Sequence, residues 1–250
     1  LYYLSEEDGY SHLYVKKGKR RASQITEGKY EVNHLTVSEN GKNIYYRANQ
    51  KHPGIYEIYR ASLNNRSSQA ITDLGGNNDY LLSPDEKNMV VTHSSLTKKP
   101  ELFLKSVEHP KRTAKQITYT MSREFLSRPW QAPEIKAIKS SHVDQPIYSR
   151  LYKPLETNNL SEDKQASKKR PAVMFVHGAG YLQNSHQGWS GYFREFMFHN
   201  YLTSKGYVVL DMDFRASKGY GRDWRTAIYR QMGTPELQDM QDGVKWLVDN

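Results

Sequence analysis

The 250-residue sequence contains no cysteine. That absence excludes disulfides, thiolate metal centres and a cysteine nucleophile, although it says little about compartment, since exported proteins without disulfides are common. No apolar run approaches the roughly 18 residues that cross a bilayer. No methionine and no charged-then-apolar leader opens the chain at Leu1. The start reads as a cut, so localisation stays unknown: cytoplasmic, periplasmic or secreted. Apolar residues are scarce too, at 37% of the chain with a mean hydropathy of −0.84. The net charge of +9 would suit a polyanion. The basic residues are nevertheless dispersed, with local runs only at Lys16–Arg21 and Lys168–Arg170. No recognition helix or stacking motif accompanies them, so they read as solvated surface and no nucleic-acid partner is expected.

What is abundant is tyrosine, with 19 residues. Many tyrosines among few aliphatics suit half-exposed strands, where a ring packs and its hydroxyl stays wet. Residues 1–120 also repeat. Gln24-Ile25-Thr26 returns as Ala70-Ile71-Thr72 and as Gln116-Ile117-Thr118, at intervals of 46 residues. Val37–Asn49 echoes Leu82–Ser94, and His12–Val15 echoes Gly54–Arg60 and Glu101–Lys105. Ser-Glu-Asn-Gly and Ser-Pro-Asp-Glu read as tight turns, in which Pro84 presets φ and Asn40-Gly41 tolerates a positive φ. Four short strands in a unit of this length is the period of a β-propeller blade. Residues 1–125 are therefore expected to form antiparallel four-stranded blades, about two and a half of them, where closed propellers have about four to eight. The missing blades are expected N-terminal to Leu1.

After Tyr119 the period changes, and residues 126–250 are expected to be α/β. Pro133–Pro154 reads as a hairpin with Asp144-Gln145-Pro146 near its turn, and Leu155–Arg170 as an exposed polar loop. Pro171–His177 and Tyr207–Arg215 are continuous apolar runs, read as strands buried on both faces of a parallel sheet. Tyr192–Gly206 has helical spacing, with Phe193, Phe196, Met197 and Leu202 on one face and Gly206 as C-cap. A last helix has Thr234 as N-cap, Pro235 in its first turn, and Leu237, Met240, Val244 and Leu247 as its apolar face.

This combination resembles the prolyl oligopeptidase / dipeptidyl peptidase IV family of serine peptidases. Three stretches carry the resemblance. Met174–Tyr181 (MFVHGAGY) is similar to the family's H-G-G-P loop, Asp213–Trp224 (DFRASKGYGRDW) to its D-x-R-G-S-x-G-Y-G segment, and Ser83–Lys87 (SPDEK) to its S-P-D-G-K blade turn. The resemblance implies blades followed by the N-terminal part of an α/β-hydrolase domain, and a serine peptidase acting on short peptides that reach a cleft between domains. It implies no cofactor and no metal, and it allows a homo-oligomer. The catalytic serine, aspartate and histidine are then expected after Asn250, so the chain alone would be inactive. The oxyanion and substrate loop would be His177, Gly178, Ala179, Gly180 and Tyr181, with the Ala179 N–H as donor, supported by Arg215 and Tyr220. Ala179 and Gly180 depart from the Gly and Pro usual there; Tyr181 is close enough in sequence to supply a hydroxyl. The alternative is a non-catalytic propeller–hydrolase scaffold that binds partners.

Gly188-Trp189-Ser190-Gly191-Tyr192 is one residue short of G-x-S-x-G. A nucleophile elbow needs a strand before its serine and a helix after it. Ser190 instead follows a polar loop, and Tyr192 places a Cβ where glycine permits the sharp crossing. Ser190 therefore reads as a helix cap. His177 reads as a residue that orients its loop, and Arg215 as a loop anchor through its guanidinium fork. His186, His199 and the acids of Pro235–Asp242 show no metal spacing and read as surface. Gly219-Tyr220-Gly221 lacks a phosphate-loop lysine and reads as a turn.

Overall fold

The computed structural model describes residues 1–154, 169–191 and 193–250. The polar stretch 155–168 and Tyr192, both interpreted above, lie outside them, as does the side chain of Phe193. Two compact units are present: Leu1–Arg128 with His186–Trp189 and Lys218–Arg225, and Pro129–Ser185 with Ser190–Ser217 and Thr226–Asn250.

The first unit repeats an antiparallel meander. Strands β1 (Tyr2–Ser5), β2 (His12–Val15) and β3 (Ser23–Gln24) form one sheet. A full group of four follows in β4 (Val32–Val37), β5 (Asn43–His52), β6 (Ile55–Ser62) and β7 (Ser68–Ala70). A second comprises β8 (Asn77–Leu82), β9 (Asn88–Ser95), β10 (Lys98–Ser106) and β11 (Lys115–Gln116). A lone parallel bridge, Tyr56 to Asn77, links the groups. Alternate residues of one strand feed different cores. Ile44, Tyr46 and Ala48 of β5 pack with Leu13, Val32 and Tyr59, whereas Tyr45 between them packs with Ile58, Ile71, Tyr80 and Val91. Sheets stacked face to face have two inner faces each, and tyrosine bulk fills them where aliphatics are few. Tyr46 and Tyr80 keep their hydroxyls bonded, to Ser68 (2.6 Å) and Thr36 (3.0 Å).

The 46-residue echo has a three-dimensional meaning. In each repeat the isoleucine N–H donates to a carbonyl on the preceding strand at 2.8 Å: Ile25 to Leu13, Ile71 to Ile58, Ile117 to Leu102. The threonine that follows accepts that same residue's N–H on Oγ1, at 3.0, 2.9 and 2.8 Å respectively. The threonine hydroxyl then meets the side chain one position earlier on the strand: His12 Nδ1, Glu57 Oε2 or Glu101 Oε2. Each threonine thus closes a clasp on a buried polar side chain. The echoing turns match as well: Gly41 N–H donates to the Ser38 carbonyl and Glu86 N–H to the Ser83 carbonyl, both at 2.9 Å. Gly41 and Glu86 both take positive φ.

In the second unit, β12 (Glu134–Ile138) and β13 (Ile147–Tyr152) are the expected hairpin. β13 then pairs antiparallel with β15 (Val208–Met212), and β15 parallel with β14 (Ala172–Phe175), in the order β12-β13-β15-β14. The sheet is therefore mixed, because the hairpin's second strand lies directly against β15. The reading of 171–177 as buried on both faces is corrected too. β14 pairs only β15 among the described strands, its residues are half-buried or exposed, and Val176 is 60% exposed.

Four helices accompany the described strands: α1 (Arg123–Ser127), α2 (Phe193–Ser204), α3 (Arg222–Thr226) and α4 (Pro235–Asp249). α2 ends as expected. The Gly206 N–H donates to the Thr203 carbonyl and the Tyr207 N–H to the Leu202 carbonyl, with Gly206 at φ +89. This is the paired bonding of a Schellman cap. The expected face of α4 is overturned. Leu237 and Val244 are 54% and 48% exposed, and the buried residues are Pro235, Asp239 and Gly243. A Cβ on Gly243 would stand 2.3 Å from Met212 Sδ, so the helix uses its smallest residue to approach β15.

Candidate functional site

The loop after β14 runs through His177, Gly178, Ala179 and Gly180, and its conformation is dictated by bonds to the segment after β15. Both His177 nitrogens face oxygen acceptors: Nδ1 the Gly178 carbonyl at 2.8 Å, Nε2 the Asp213 Oδ1 at 3.0 Å. A carbonyl and a carboxylate can only accept, so this geometry favours the doubly protonated ring, paired with Asp213. Burial opposes the charge, but the hydrogen bond to Asp213 and its charge outweigh burial and raise the His177 pKa. Phe214 stacks on the ring at 4.8 Å. Asp213 also accepts the main-chain N–H groups of Asn184 (2.7 Å) and Ser185 (3.0 Å), which fastens the next loop to the same carboxylate.

The Gly178 carbonyl and the Ala179 N–H belong to one trans peptide and point in opposite directions. By holding the carbonyl, His177 Nδ1–H aims the Ala179 N–H away from itself. The next amide is occupied: Gly180 N–H donates to the Ala216 carbonyl at 2.5 Å. The Ala179 N–H has no acceptor among the described residues, and the residue is half-buried. Gly180 sits at φ +90, which replaces the proline of the resembling motif by a residue suited to a left-handed bend. Ala216 adopts φ +116 with a Cβ and is fully buried. A strained residue at the second support of the loop is the kind of feature that clusters at functional sites. Tyr181 is 68% exposed, and its hydroxyl lies 3.2 Å from where a Gly178 Cβ would be.

Arg215 ties the second segment to α4. Its N–H and Nε donate to Asp239 of α4 (2.6 and 2.9 Å), and Nη2 donates to the Pro235 carbonyl and Gln238 Oε1 (3.1 and 2.8 Å). Tyr220 belongs to the first unit, where it is buried against Trp224.

Several residues read as surface are interior. His186 and His199 are 7% and 1% exposed, and Asp239 is fully buried. Each gained a partner or packing that no linear pattern displays: His186 Nδ1 accepts the Gly188 N–H at 3.1 Å, the His199 ring packs against Tyr152 and Phe175, and Asp239 meets Arg215. Ser190 is buried at 3% exposure, its hydroxyl donates to Glu195 Oε1 at 3.0 Å, and α2 starts three residues later. Glu195, His199 and Asp211 bring one ligand atom each within 4.8 Å of one another, a spacing a metal could use. The Arg150 charge acts on all three, so two carboxylates already have their counter-cation there. Asp213, Asn184 and Glu195 were missed from the sequence. The available signal was Asp211 and Asp213 inside an apolar run, where an acid must find a partner.

Two family profiles match: the dipeptidyl peptidase IV (DPP IV) N-terminal region over residues 1–100 and the prolyl oligopeptidase family over residues 194–250. The chain belongs to the prolyl oligopeptidase / dipeptidyl peptidase IV family. Members of this family are serine peptidases. Mouse (Mus musculus) dipeptidyl peptidase 8 is 29% identical over 237 residues, covering 89% of this chain and 25% of its own length. Dipeptidyl aminopeptidase BIII of Pseudoxanthomonas mexicana is 32% identical over 134 residues, 52% of this chain and 18% of that protein. Human (Homo sapiens) prolyl endopeptidase FAP is 25% identical over 256 residues, 98% of this chain and 32% of that protein. The crystal structure of Porphyromonas gingivalis dipeptidyl peptidase 4 shares the fold at a TM-score of 0.82 and 24% identity, over 98% of this chain and 33% of that one. Propeller blades followed by the start of a hydrolase domain are thus the fold of this family member, and the chain spans about a quarter to a third of the length of mouse dipeptidyl peptidase 8, human prolyl endopeptidase FAP and the P. gingivalis structure.

Proposed function

We propose that the chain is the blade and early hydrolase portion of a serine peptidase that cleaves short peptides, and that the Ala179 N–H donates to the oxyanion of its tetrahedral intermediate. The observation that carries this is the aimed Ala179 amide, held by His177 on one side and by the Gly180–Ala216 bond on the other. Acyl transfer needs donors fixed before charge develops, because reorientation at that moment would cost part of the stabilisation. In this reading Arg215 and Asp239 keep the supporting segment in place, and the nucleophile, acid and base come from chain following Asn250. Ser190 is then a buried structural hydroxyl.

The test is hydrolysis of dipeptidyl and aminoacyl nitroanilides by the full-length protein, with inactivation by a serine-directed fluorophosphonate. Ala179→Pro removes the donor and is expected to lower kcat about 100- to 1000-fold with KM little changed. Ser190→Ala is expected to lose no more than about tenfold, where loss of a nucleophile costs about a millionfold. A full-length protein without fluorophosphonate-sensitive turnover would leave a partner-binding scaffold in place of the enzyme.

A further inference from the structure

The second unit encloses a cluster of charges that the proposed chemistry does not use. Glu195 on α2 and Asp211 on β15 are buried, at 6% and 0% exposure, and bring carboxylate oxygens within 4.8 Å of each other. Two carboxylates are acceptors only, so a hydrogen bond between them requires a proton. The remaining oxygens are already assigned. Glu195 Oε1 accepts from Ser190 Oγ (3.0 Å) and Asn184 Nδ2 (3.4 Å), and both Asp211 oxygens lie 3.2 Å from Asn184 Nδ2. Glu195 Oε2 is buried with no ordinary donor facing it, as expected of the atom that shares the proton with Asp211.

We propose that Glu195 and Asp211 hold one proton between them at neutral pH, and that this pair positions Ser190 and Asn184, whose main-chain N–H hangs on Asp213 beside His177. The surroundings fit a pair carrying one negative charge. Arg150 on β13 supplies a single positive charge; Asp213, whose charge also reaches Asp211, is paired with His177; His199 on α2 is neutral, its pKa pushed down to about 4 by burial and Arg150; and Tyr152 on β13 is neutral. Two bare carboxylates would leave the cluster one negative charge in excess, in an interior that burial already makes costly for any ion. Burial raises both pKa values, that of Asp211 well above the ordinary carboxylate range.

The proton gives a signature separate from catalysis. The folded protein binds it and the unfolded chain, with ordinary carboxylates, does not. Stability from the pair is complete at acid pH and declines as pH rises towards the folded-state pKa, by a tenfold change in the unfolding constant per pH unit, or about 1.4 kcal/mol. Asp211→Asn and Glu195→Gln each replace the shared proton with a permanent amide donor and should flatten this slope, so their melting temperatures gain on the wild type as pH rises from the ordinary carboxylate range to the folded-state pKa. The infrared carbonyl band of a protonated acid, present in the wild type at pH 7, should vanish in both. Parallel wild-type and variant pH profiles, or no band difference, would overturn the proposal. So would a wild-type melting point raised by added zinc and lowered by a chelator, which would make Glu195, His199 and Asp211 a cation site. None of these readouts depends on turnover, so the pair can stand or fall independently of the peptidase reading on which only its positioning role rests.

Discussion

Ala216 holds φ +116 while its methyl is fully buried. Strain of this kind costs about 1–3 kcal/mol, whereas burying one methyl gains about 0.8 kcal/mol. Strain is the larger effect, so Ala216→Gly should stabilise the full-length protein by about 1 kcal/mol, read as a raised urea midpoint with unchanged slope. The His177–Asp213 ion pair has the opposite sensitivity to substitution. Removing one partner strands a buried charge, at a cost of about 3–5 kcal/mol. Because the His177 pKa is raised, the pair's stability is full below the ordinary imidazole value and is lost as pH rises through the folded one. The melting deficit of His177→Gln should therefore be largest near pH 6 and shrink towards pH 9; a deficit that grows with pH would mean a neutral ring.

At the scale of elements, the threonine clasps make a graded test. Thr72 is 1% exposed and closes on the buried Glu57, whereas Thr118 is only half-buried. Thr72→Val should cost about 1–3 kcal/mol by leaving a buried carboxylate short of a donor, and Thr118→Val clearly less, both measured by chemical denaturation. Gly188 gives a steric counterpart: a Cβ there would lie 2.2 Å from Asn77 Cβ and 2.9 Å from Ser94 Oγ, both on short or branch-point atoms that cannot swing away. Gly188→Ala is expected to destabilise by about 1–3 kcal/mol through overpacking. The clasps were legible as a 46-residue echo because each is built from two adjacent strands in one repeat. The docking face of α4 was not. Gly243 and Asp239 carry no apolar signal, and their burial comes from close approach to Met212 and from a bond to Arg215. The β14 strand misled for a related reason: an apolar run states that burial suits it, not which neighbours the fold supplies.

For the molecule as a whole, the dispersed charge of +9 predicts weak, salt-labile adsorption to polyanions. Binding of this chain to duplex DNA should show no sequence preference and fall steeply between about 50 and 200 mM salt; sequence preference surviving at the higher salt would require a recognition surface. The order of elements and the peptidase kinship were legible from strand periodicity, turn chemistry and three motifs, because hydrophobic period and backbone preference act over a few residues. Which polar side chains are interior was decided only by folding. His186–Trp189 and Lys218–Arg225 join the first unit through bonds such as Gln187 N–H to the Gly54 carbonyl and Gly221 N–H to Glu31. Asp211, Asp213, Glu195 and Asp239 find their partners across 16 to 36 residues of chain. A buried charge is acceptable only where its counter-charge or donors converge in space, and that convergence is a property of the packed chain that no local pattern encodes.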